Sequence, residues 1–478
     1  KATLNQYRPG MFGADQEWKV GTQFERGEHY GPAIIPGGVR FVDNPNQQPF
    51  QSVSAPPSNN GGLFNTVALF ASDTLTLGKR LTVNAGVRFD HSVAISQDIP
   101  AVDALGNEID GKVAGSGKLY TWNVVSPRLG VTQRLTDDGR TILRASYGRF
   151  NQGVLTGEIS PVHPGVAPVT TRAFDPATGG YTVLVSVVDP KSNITVDPNT
   201  RTPHTDEYSI GVDRELSTRV SAAVAYVHKD GKDFIAWRDI GGQYRQETRT
   251  LADGSTLPVY VLASSPGSRL FQLTNPDGFS TKYNGLVAVL EKRYANGWQA
   301  LGSYTLSRTS GLLVSSGVSV ADGALGGQLS SVAAPTPNPF GRDPNNLTNA
   351  YGRLPNDRPH MFRLSGSLDV PRTGVALGGN FQYFSGKPWA ASTLVNLPAP
   401  QGSTRILLEP RGTRRMSSQS LLDFRVSRPF NLGGVGRADV IFDLLNVLND
   451  KAEEAMATDN LFSPTFAQPT VFIDPRRA

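Results

Sequence analysis

The stretch Leu81-Thr82-Val83-Asn84-Ala85-Gly86-Val87-Arg88-Phe89-Asp90 decides the fold, because apolar residues alternate along it with polar or small ones. Successive side chains of a β-strand point to opposite faces of a sheet. One face would carry the apolar side chains Leu81, Val83, Ala85, Val87 and Phe89, and the other would carry Thr82, Asn84, Gly86, Arg88 and Asp90. The stretch therefore predicts a strand with one face toward an apolar environment and the other toward water.

The same alternation recurs along the chain, in residues 18–26, 141–149, 208–213, 362–370, 375–383 and 438–444. Six short stretches of turn-forming residues would join strands into hairpins, at 77–80, 136–139, 215–218, 295–297, 371–374 and 431–434. Between the hairpins lie long segments rich in Gly, Pro, Ser, Asn and Asp, at 92–121, 152–204, 231–281, 309–358 and 386–418. Short and long connections therefore alternate.

Composition limits the class of protein. The 478 residues contain no run of roughly 18 apolar residues, the length that a spanning helix needs, and the mean hydropathy is -0.27. A helical membrane protein is therefore excluded. The absence of cysteine argues against a disulfide-stapled domain and a thiolate metal site. The net charge of +5 is scattered along the chain, which does not indicate nucleic-acid binding.

Alternation of short turns with long loops is typical of an up-and-down transmembrane β-barrel with periplasmic turns and extracellular loops. A soluble β fold is the alternative, although a β-propeller would repeat a blade about every 40 to 50 residues. Six hairpins and the strand at 18–26 give about thirteen strands, whereas single-chain bacterial barrels usually have an even number. The sequence thus predicts an all-β fold in which residues 1–478 form part of a large antiparallel barrel.

Three motifs carry a family resemblance. One runs from Asp343-Pro344-Asn345-Asn346-Leu347 through Tyr351-Gly352 to Asp357-Arg358-Pro359-His360-Met361-Phe362. The others are residues 208–216 and Phe442-Asp443-Leu444-Leu445-Asn446-Val447-Leu448-Asn449. Together they resemble the TonB-dependent outer-membrane receptors, in particular the Oar-like group. The resemblance marks eight residues as structural motif residues: Asp343, Asn346, Asp357, Arg358, His360, Phe362, Asn446 and Asn449.

The resemblance implies a barrel of about 22 strands whose lumen is filled by an N-terminal plug. On that template the plug, the segment that couples to the TonB complex and the first strands would precede Lys1, and a final strand would follow Ala478. The implied function is uptake of a large, scarce solute, such as a siderophore-like metal chelate or an oligosaccharide. A second hypothesis is a surface or assembly protein whose loops bind or help to export a protein partner. Outer-membrane lipid and lipopolysaccharide would surround the wall in either case.

Two groups of side chains have alternative interpretations. Aromatic residues near predicted strand ends could form the interfacial girdles of a barrel or pack within loops, namely Trp122, Trp237, Tyr294, Trp298, Phe384 and Trp389. The basic residues Arg411, Arg414 and Arg415 could bind lipopolysaccharide or an acidic ligand, or form a solvated loop.

No arrangement of reactive residues indicates an enzyme. The six histidines are spread along the chain without the HExxH motif or another paired metal-binding spacing. Adjacent carboxylates such as Asp137 and Asp138 are ordinary in turns. The sequence therefore predicts no catalytic residue and no cofactor or metal site, and it leaves the ligand-binding residues unassigned.

Overall fold

The structure is a computed structural model that describes residues 1–43, 47–312, 343–398, 401 and 403–477. Its main sheet has 15 strands, of which the short strand Gly352–Arg353 lies off the sequential path. Each of the others pairs antiparallel with its neighbours in sequence. These strands, β1 to β14, are Ala2–Met11, Ala14–Ala33, Ser58–Leu77, Leu81–Ser96, Gly117–Arg134, Thr141–Asn151, His204–Ser217, Val220–Lys232, Ser280–Ala295, Trp298–Leu312, His360–Val370, Val375–Phe384, Gln419–Asn431 and Arg437–Leu444.

The described residues place fourteen strands along the sequential path, one more than the predicted count of about thirteen. The additional strand is β1, whose large apolar residues Leu4 and Tyr7 are out of step with a period of two. It pairs with β2 around Phe12 and Gly13, which both have positive φ. The odd count therefore no longer argues for a partial barrel. The described sheet is nevertheless open, with β1 and β14 at its edges.

All six predicted short turns join strands where the sequence places them. The turn between β9 and β10 has two residues, Asn296 and Gly297, with φ values of 55° and 81°. A two-residue type I′ turn requires such left-handed conformations, and Asn-Gly is its preferred sequence. The predicted long segments connect successive hairpins at the other end of the main sheet, whose strands β1 to β14 form the wall of the barrel. In the segment 309–358, residues 313–342 lie outside the described residues.

The two faces of the wall differ as the alternation predicts. Val87 and Phe89 are 46% and 40% exposed and define the outer face of the sheet. Register continues this face across strands, since Phe89 lies opposite Leu69 on β3 and Val125 on β5. The opposite, inner face carries Asn84, Arg88 and Asp90. There Thr74 Oγ1 donates to Asn84 Oδ1 at 2.8 Å, and Arg88 makes several hydrogen bonds of 2.7 to 2.9 Å to the Asp90 carboxylate.

The long connections and the segment after β14 fold into small units. Their short strands are Val39–Asp43, Pro49–Ser54, Ile99–Val102, Glu108–Val113, Val169–Asp175, Gly180–Val188, Ile194–Val196, Ala236–Asp239, Tyr244–Thr250, Thr256–Leu262, Phe271–Thr274, Pro388–Trp389, Ser392–Asn396, Ser403–Leu407, Arg414–Arg415, Glu453–Met456 and Pro469–Phe472. The helical turns are Pro36–Gly38, Thr156–Ile159, Ser160–Val162, Pro266–Ser268, Pro344–Leu347 and Gly433–Val435. No helix in the described ranges is long and apolar enough to cross a membrane.

Candidate functional site

The motif around Asp357 ties two long loops to the wall. The Asp357 carboxylate is fully buried and accepts the backbone N–H of Thr309 at 2.5 Å. It also pairs with the Arg415 guanidinium, and Arg353 Nη1 lies 3.5 Å from its Oδ1. Arg415 donates further to the backbone oxygens of Asp357 and Gly386, at 2.8 and 3.0 Å. Because a buried carboxylate must be paired and hydrogen-bonded, Asp357 fixes how the two loops meet.

The neighbouring motif residues connect the same loops to β11. Arg358 Nη1 donates to the backbone oxygen of Ser385 at 3.2 Å, and burial lowers the pKa of the Arg358 guanidinium. His360 Nδ1 lies 2.7 Å from the Tyr304 hydroxyl on the outer face. Phe362 also points to the outer face, opposite Tyr304 in the register. These three residues therefore lie where the long loops join β11, and their role as structural motif residues stays a prediction.

Asp343 holds the side chain of Asn345, which is not among the eight motif residues. Asn345 is buried, and its side chain bonds both the N–H and the oxygen of Tyr260, at 2.8 and 2.7 Å. Asp343 Oδ1 accepts Asn345 Nδ2 at 2.8 Å, and its Oδ2 accepts Gln401 Nε2 at the same distance. The segment thereby clamps the hairpin that contains Tyr260. Within the part of the chain that the structure describes, the motif residue Asn346 makes a turn contact, from its N–H to the Asp343 oxygen at 3.0 Å.

Asn446 and Asn449 turn the chain after β14. Both adopt positive φ, 47° and 51°, a conformation that asparagine tolerates better than most residues. The buried Asn446 side chain donates to the backbone oxygens of Asp450 and Asp474, at 3.1 and 2.9 Å. Its own N–H donates to Asp423 Oδ1 on β13 at 2.9 Å. The pair therefore anchors the last segment to the wall.

Trp122 and Trp237 pack inside the loops and are not girdle residues. Both are 3% exposed and belong to one apolar core with Ile159 and Phe271. Trp122 Nε1 donates to the backbone oxygen of Thr200 at 3.0 Å. This core draws on several long connections, so their folds are mutually dependent. Of the two interpretations of these tryptophans, the structure supports loop packing.

Tyr294 and Trp298 flank the Asn296-Gly297 turn and are 50% and 42% exposed. Lys292 Nζ lies 3.9 Å from the centroid of the Trp298 ring. Trp298 lies opposite Leu368 on the outer face near the short turn, which is where an interfacial girdle would lie. The Tyr294 hydroxyl instead donates to the Asp369 carboxylate on the inner face. Membership of a girdle therefore stays a prediction for Trp298, whereas the inner-face contact of Tyr294 argues against it.

The remaining aromatic residues lie elsewhere. Phe384 shares the inner face with Arg363, whose guanidinium carbon lies 5.3 Å from the ring centroid. Trp389 packs against Phe466, with a centroid distance of 5.7 Å, and Arg414 lies 5.3 Å from the Trp389 ring. Phe384 therefore faces the lumen of a barrel, and Trp389 belongs to the packing of the loops.

The cluster of Arg411, Arg414 and Arg415 is not a solvated basic loop. Arg411 is 4% exposed, and Arg415 pairs with Asp357. Arg414 Nε donates to Glu409 Oε1 at 2.6 Å in addition to its aromatic contacts. Arg411 is therefore buried, and Arg414 and Arg415 are paired with carboxylates within the loops. Little of their charge is left for an external acidic ligand.

The inner face carries two pairs in which an arginine lies over a phenylalanine. Arg128 is 5.1 Å from the centroid of Phe150, at the junction of β5 and β6. Arg363 lies over Phe384 between β11 and β12, and Arg358 approaches the same ring at 5.5 Å. Neither Arg128 nor Arg363 forms an ion pair with any residue that the structure describes. These inner-face Arg–Phe pairs are the candidate solute contacts.

Two buried polar side chains, those of Asp239 and His163, form hydrogen bonds that stabilise the loops above the inner face. Asp239 accepts Arg269 Nε and the Tyr244 hydroxyl on Oδ2, both at 2.8 Å; burial opposes ionisation, but these partners hold the pKa of Asp239 below its usual range. His163 is fully buried, with Nε2 2.6 Å from the Gln97 oxygen and Nδ1 accepting the Gly165 N–H at 2.9 Å. Burial lowers the pKa of His163, so the imidazole is neutral.

Within residues 1–43, 47–312, 343–398, 401 and 403–477, no group of three or more His, Cys, Asp or Glu side chains could hold a metal ion. The buried carboxylates Asp357 and Asp239 are each paired with an arginine, and Asp239 also accepts the Tyr244 hydroxyl. The loops and the inner face are therefore the surfaces of the described residues that could bind a ligand.

An antiparallel meander with an apolar outer face, a polar inner face and folded loops at one end defines an outer-membrane β-barrel protein. The chain belongs to the family described as outer membrane beta barrel domain, whose model matches residues 41–398. The predicted barrel class and the predicted location in the bacterial outer membrane are confirmed.

The relatives are transporters and receptors. The chain is 22% identical over 444 residues to the TonB-dependent transporter Oar of Myxococcus xanthus, covering 80% of this chain and 37% of that protein. It is similar to the outer membrane transporter YddB from Escherichia coli, with a TM-score of 0.56, 13% identity and coverage of 99% of this chain and 52% of that one. The siderophore receptor PiuA from Acinetobacter baumannii gives a TM-score of 0.52 at 11% identity, with 99% and 53% covered.

The chain thus spans between about a third and about half of the length of these proteins. The predicted resemblance to TonB-dependent outer-membrane receptors is confirmed. At these identities the solved structures show the fold alone.

Proposed function

We propose that the chain forms much of the barrel of a TonB-dependent receptor that takes up a large, scarce solute. The similarity to a TonB-dependent transporter and to a siderophore receptor supports this function. Residues 1–478 would form a single partial barrel domain.

The inner-face Arg–Phe pairs are the observation that favours one solute class. A guanidinium over an aromatic ring makes a surface that is both cationic and apolar. Arg128 with Phe150 and Arg363 with Phe384 repeat this arrangement on two separated hairpins. A solute with negative charge and flat aromatic groups matches both properties, whereas a neutral oligosaccharide does not use the charge. We therefore favour a siderophore-like, anionic metal chelate.

The solute class is tested with Arg128→Gln combined with Arg363→Gln in the intact receptor, and a ferric tris-catechol chelate as the probe. Each partly solvated charge contact contributes up to about 1 kcal/mol, so we expect roughly tenfold weaker binding. Lys79→Gln with Arg372→Gln removes two charges at the short turns and serves as the control. Uptake by the wild type should require a functional TonB complex.

Equal affinity of the double variant and the wild type would reject the inner-face contacts. A wild-type receptor that ignores the chelate but takes up a neutral oligosaccharide would reject the solute class. Uptake that persists without TonB would reject the coupling.

A patch on the loops supports the second candidate, a surface protein that binds a protein partner. Phe41 is 62% exposed, and its ring centroid lies 5.1 Å from that of Tyr181, which is 5.3 Å from Phe174. Exposed aromatic clusters are typical of protein interfaces. If this function holds, Phe41→Ser will release a stoichiometric partner and leave chelate uptake unchanged.

A further inference from the structure

We propose that the outer face of β9 and β10 binds the phosphorylated headgroup of an outer-leaflet glycolipid. The site is formed by Lys282 and Arg308, together with the polar side chains beside them. This inference depends on the membrane location of the wall and is independent of the solute that the receptor takes up.

The register places the two cations side by side. Arg308 lies opposite Asn284, and Lys282 lies opposite Ser310, so the cations share a face and are diagonal neighbours on adjacent strands. Both side chains are exposed. Among the described residues neither one has an ion-pair partner. Asp230 lies opposite Lys282, but its carboxylate pairs with Lys232 at 2.7 Å.

The cations stand at the edge of the apolar band. The next outward-facing pair toward the short turns is Leu286 opposite Leu306, and both leucines are exposed. A lysine or arginine on the lipid face is strongly destabilising at the bilayer midplane and costs little near the interface. The position of Lys282 and Arg308 is therefore the one at which a lipid-facing charge is tolerated and meets headgroups.

Hydrogen-bonding groups surround the cations. The Tyr226 hydroxyl and His228 Nδ1 both approach Asn284 Oδ1, at 2.7 and 2.8 Å. The His228 ring is 6.1 Å from the ring of Tyr208, which continues the row on β7. Aromatic residues with polar tips are suited to the membrane interface, where one end is apolar and the other wet.

Three kinds of contact therefore meet at one place on the outer face. Lys282 and Arg308 can bind phosphate, the Asn284 network can bind sugar hydroxyls, and the leucines below can contact acyl chains. A phosphorylated glycolipid such as the lipid A part of lipopolysaccharide carries all three groups. An anionic phospholipid lacks the sugar, and free phosphate lacks the sugar and the chains.

The test measures lipopolysaccharide binding by the intact, delipidated protein in neutral detergent. A cation near a charged membrane surface contributes about 1 kcal/mol, so Lys282→Gln with Arg308→Gln should weaken binding roughly 30-fold. Lys79→Gln with Arg372→Gln removes the same charge at the other end of the wall and should leave binding unchanged. Lipid A without phosphates should bind the wild type as weakly as lipopolysaccharide binds the double variant.

Heat-modifiable migration on a gel shows that each variant has folded. The proposal is overturned if the folded double variant keeps wild-type affinity or if the control pair loses as much. Complete displacement by excess inorganic phosphate, or equal binding of phosphatidylglycerol vesicles, would also overturn it, because the site would then not distinguish a glycolipid.

Discussion

Replacement of Asp357 by alanine should open the extracellular loops without unfolding the wall. The substitution leaves the Thr309 N–H and the guanidiniums of Arg353 and Arg415 without the buried carboxylate that they share. Breaking a buried ion pair by removing one partner costs about 3 to 5 kcal/mol. Arg415 keeps its bond to the Gly386 oxygen and is partly exposed, so the lower value applies.

A loss of about 3 kcal/mol corresponds to a roughly 100-fold increase in local opening. Hydrogen exchange at Met416 reports it, because the Met416 N–H donates to the Lys387 oxygen at 2.9 Å beside Arg415. Exchange within β11 and β12 should not change, since their backbone ladder does not involve Asp357. Asp439→Ala, which removes an exposed partner of Arg437, is the control and should leave Met416 unaffected.

Unchanged protection at Met416 in Asp357→Ala would refute the role of the buried carboxylate. Loss of protection spread evenly over loops and wall would refute the separation of the two, because the loops and the sheet would then unfold as one unit.

Two further predictions concern the loop core. The folded-state pKa of His163 lies below its unfolded value of 6.5, so the unfolded chain binds a proton that the folded loops exclude. Loop stability should therefore be complete above about pH 6.5 and fall as the pH drops below it, and proteolysis at pH 8 and pH 5 measures this; equal cleavage rates would contradict it. Trp122→Ala should destabilise the loops by about 3 to 5 kcal/mol, whereas Trp298→Ala on the outer face should leave them intact. Hydrogen exchange of the loops distinguishes the two variants, and equal effects would refute the different placements.

The strands of the main sheet could be predicted from the sequence, because apolar and polar residues alternate along a strand whose two faces lie in different environments. Residues 81–90 show this alternation cleanly and lie within β4, with the predicted faces. β1 does not, since Leu4 and Tyr7 have odd spacing, and local periodicity could not reveal it. The sequence feature that could have indicated β1 is the Phe12-Gly13 turn that joins it to β2.

The loops could not be predicted, because their structure depends on contacts between distant segments. Trp122 lies at a strand end in sequence, which also fits a girdle, but its partner is the Thr200 oxygen, 78 residues away. Arg415 looks like part of a basic loop until Asp357 is brought to it over 58 residues. Asn345 resembles any turn residue in sequence, and only the fold brings it to Tyr260.

Single-cysteine labelling along β4 tests the barrel wall most directly, because residues 1–478 contain no cysteine that would compete for the label. Spin labels at Val83→Cys, Val87→Cys and Phe89→Cys should be accessible to oxygen, which concentrates in lipid. Labels at Asn84→Cys and Arg88→Cys should be accessible to a water-soluble paramagnetic reagent. We expect this accessibility to alternate with a period of two in the membrane-embedded protein. Uniform access to the water-soluble reagent at all five positions would contradict a lipid-facing outer surface and the barrel itself.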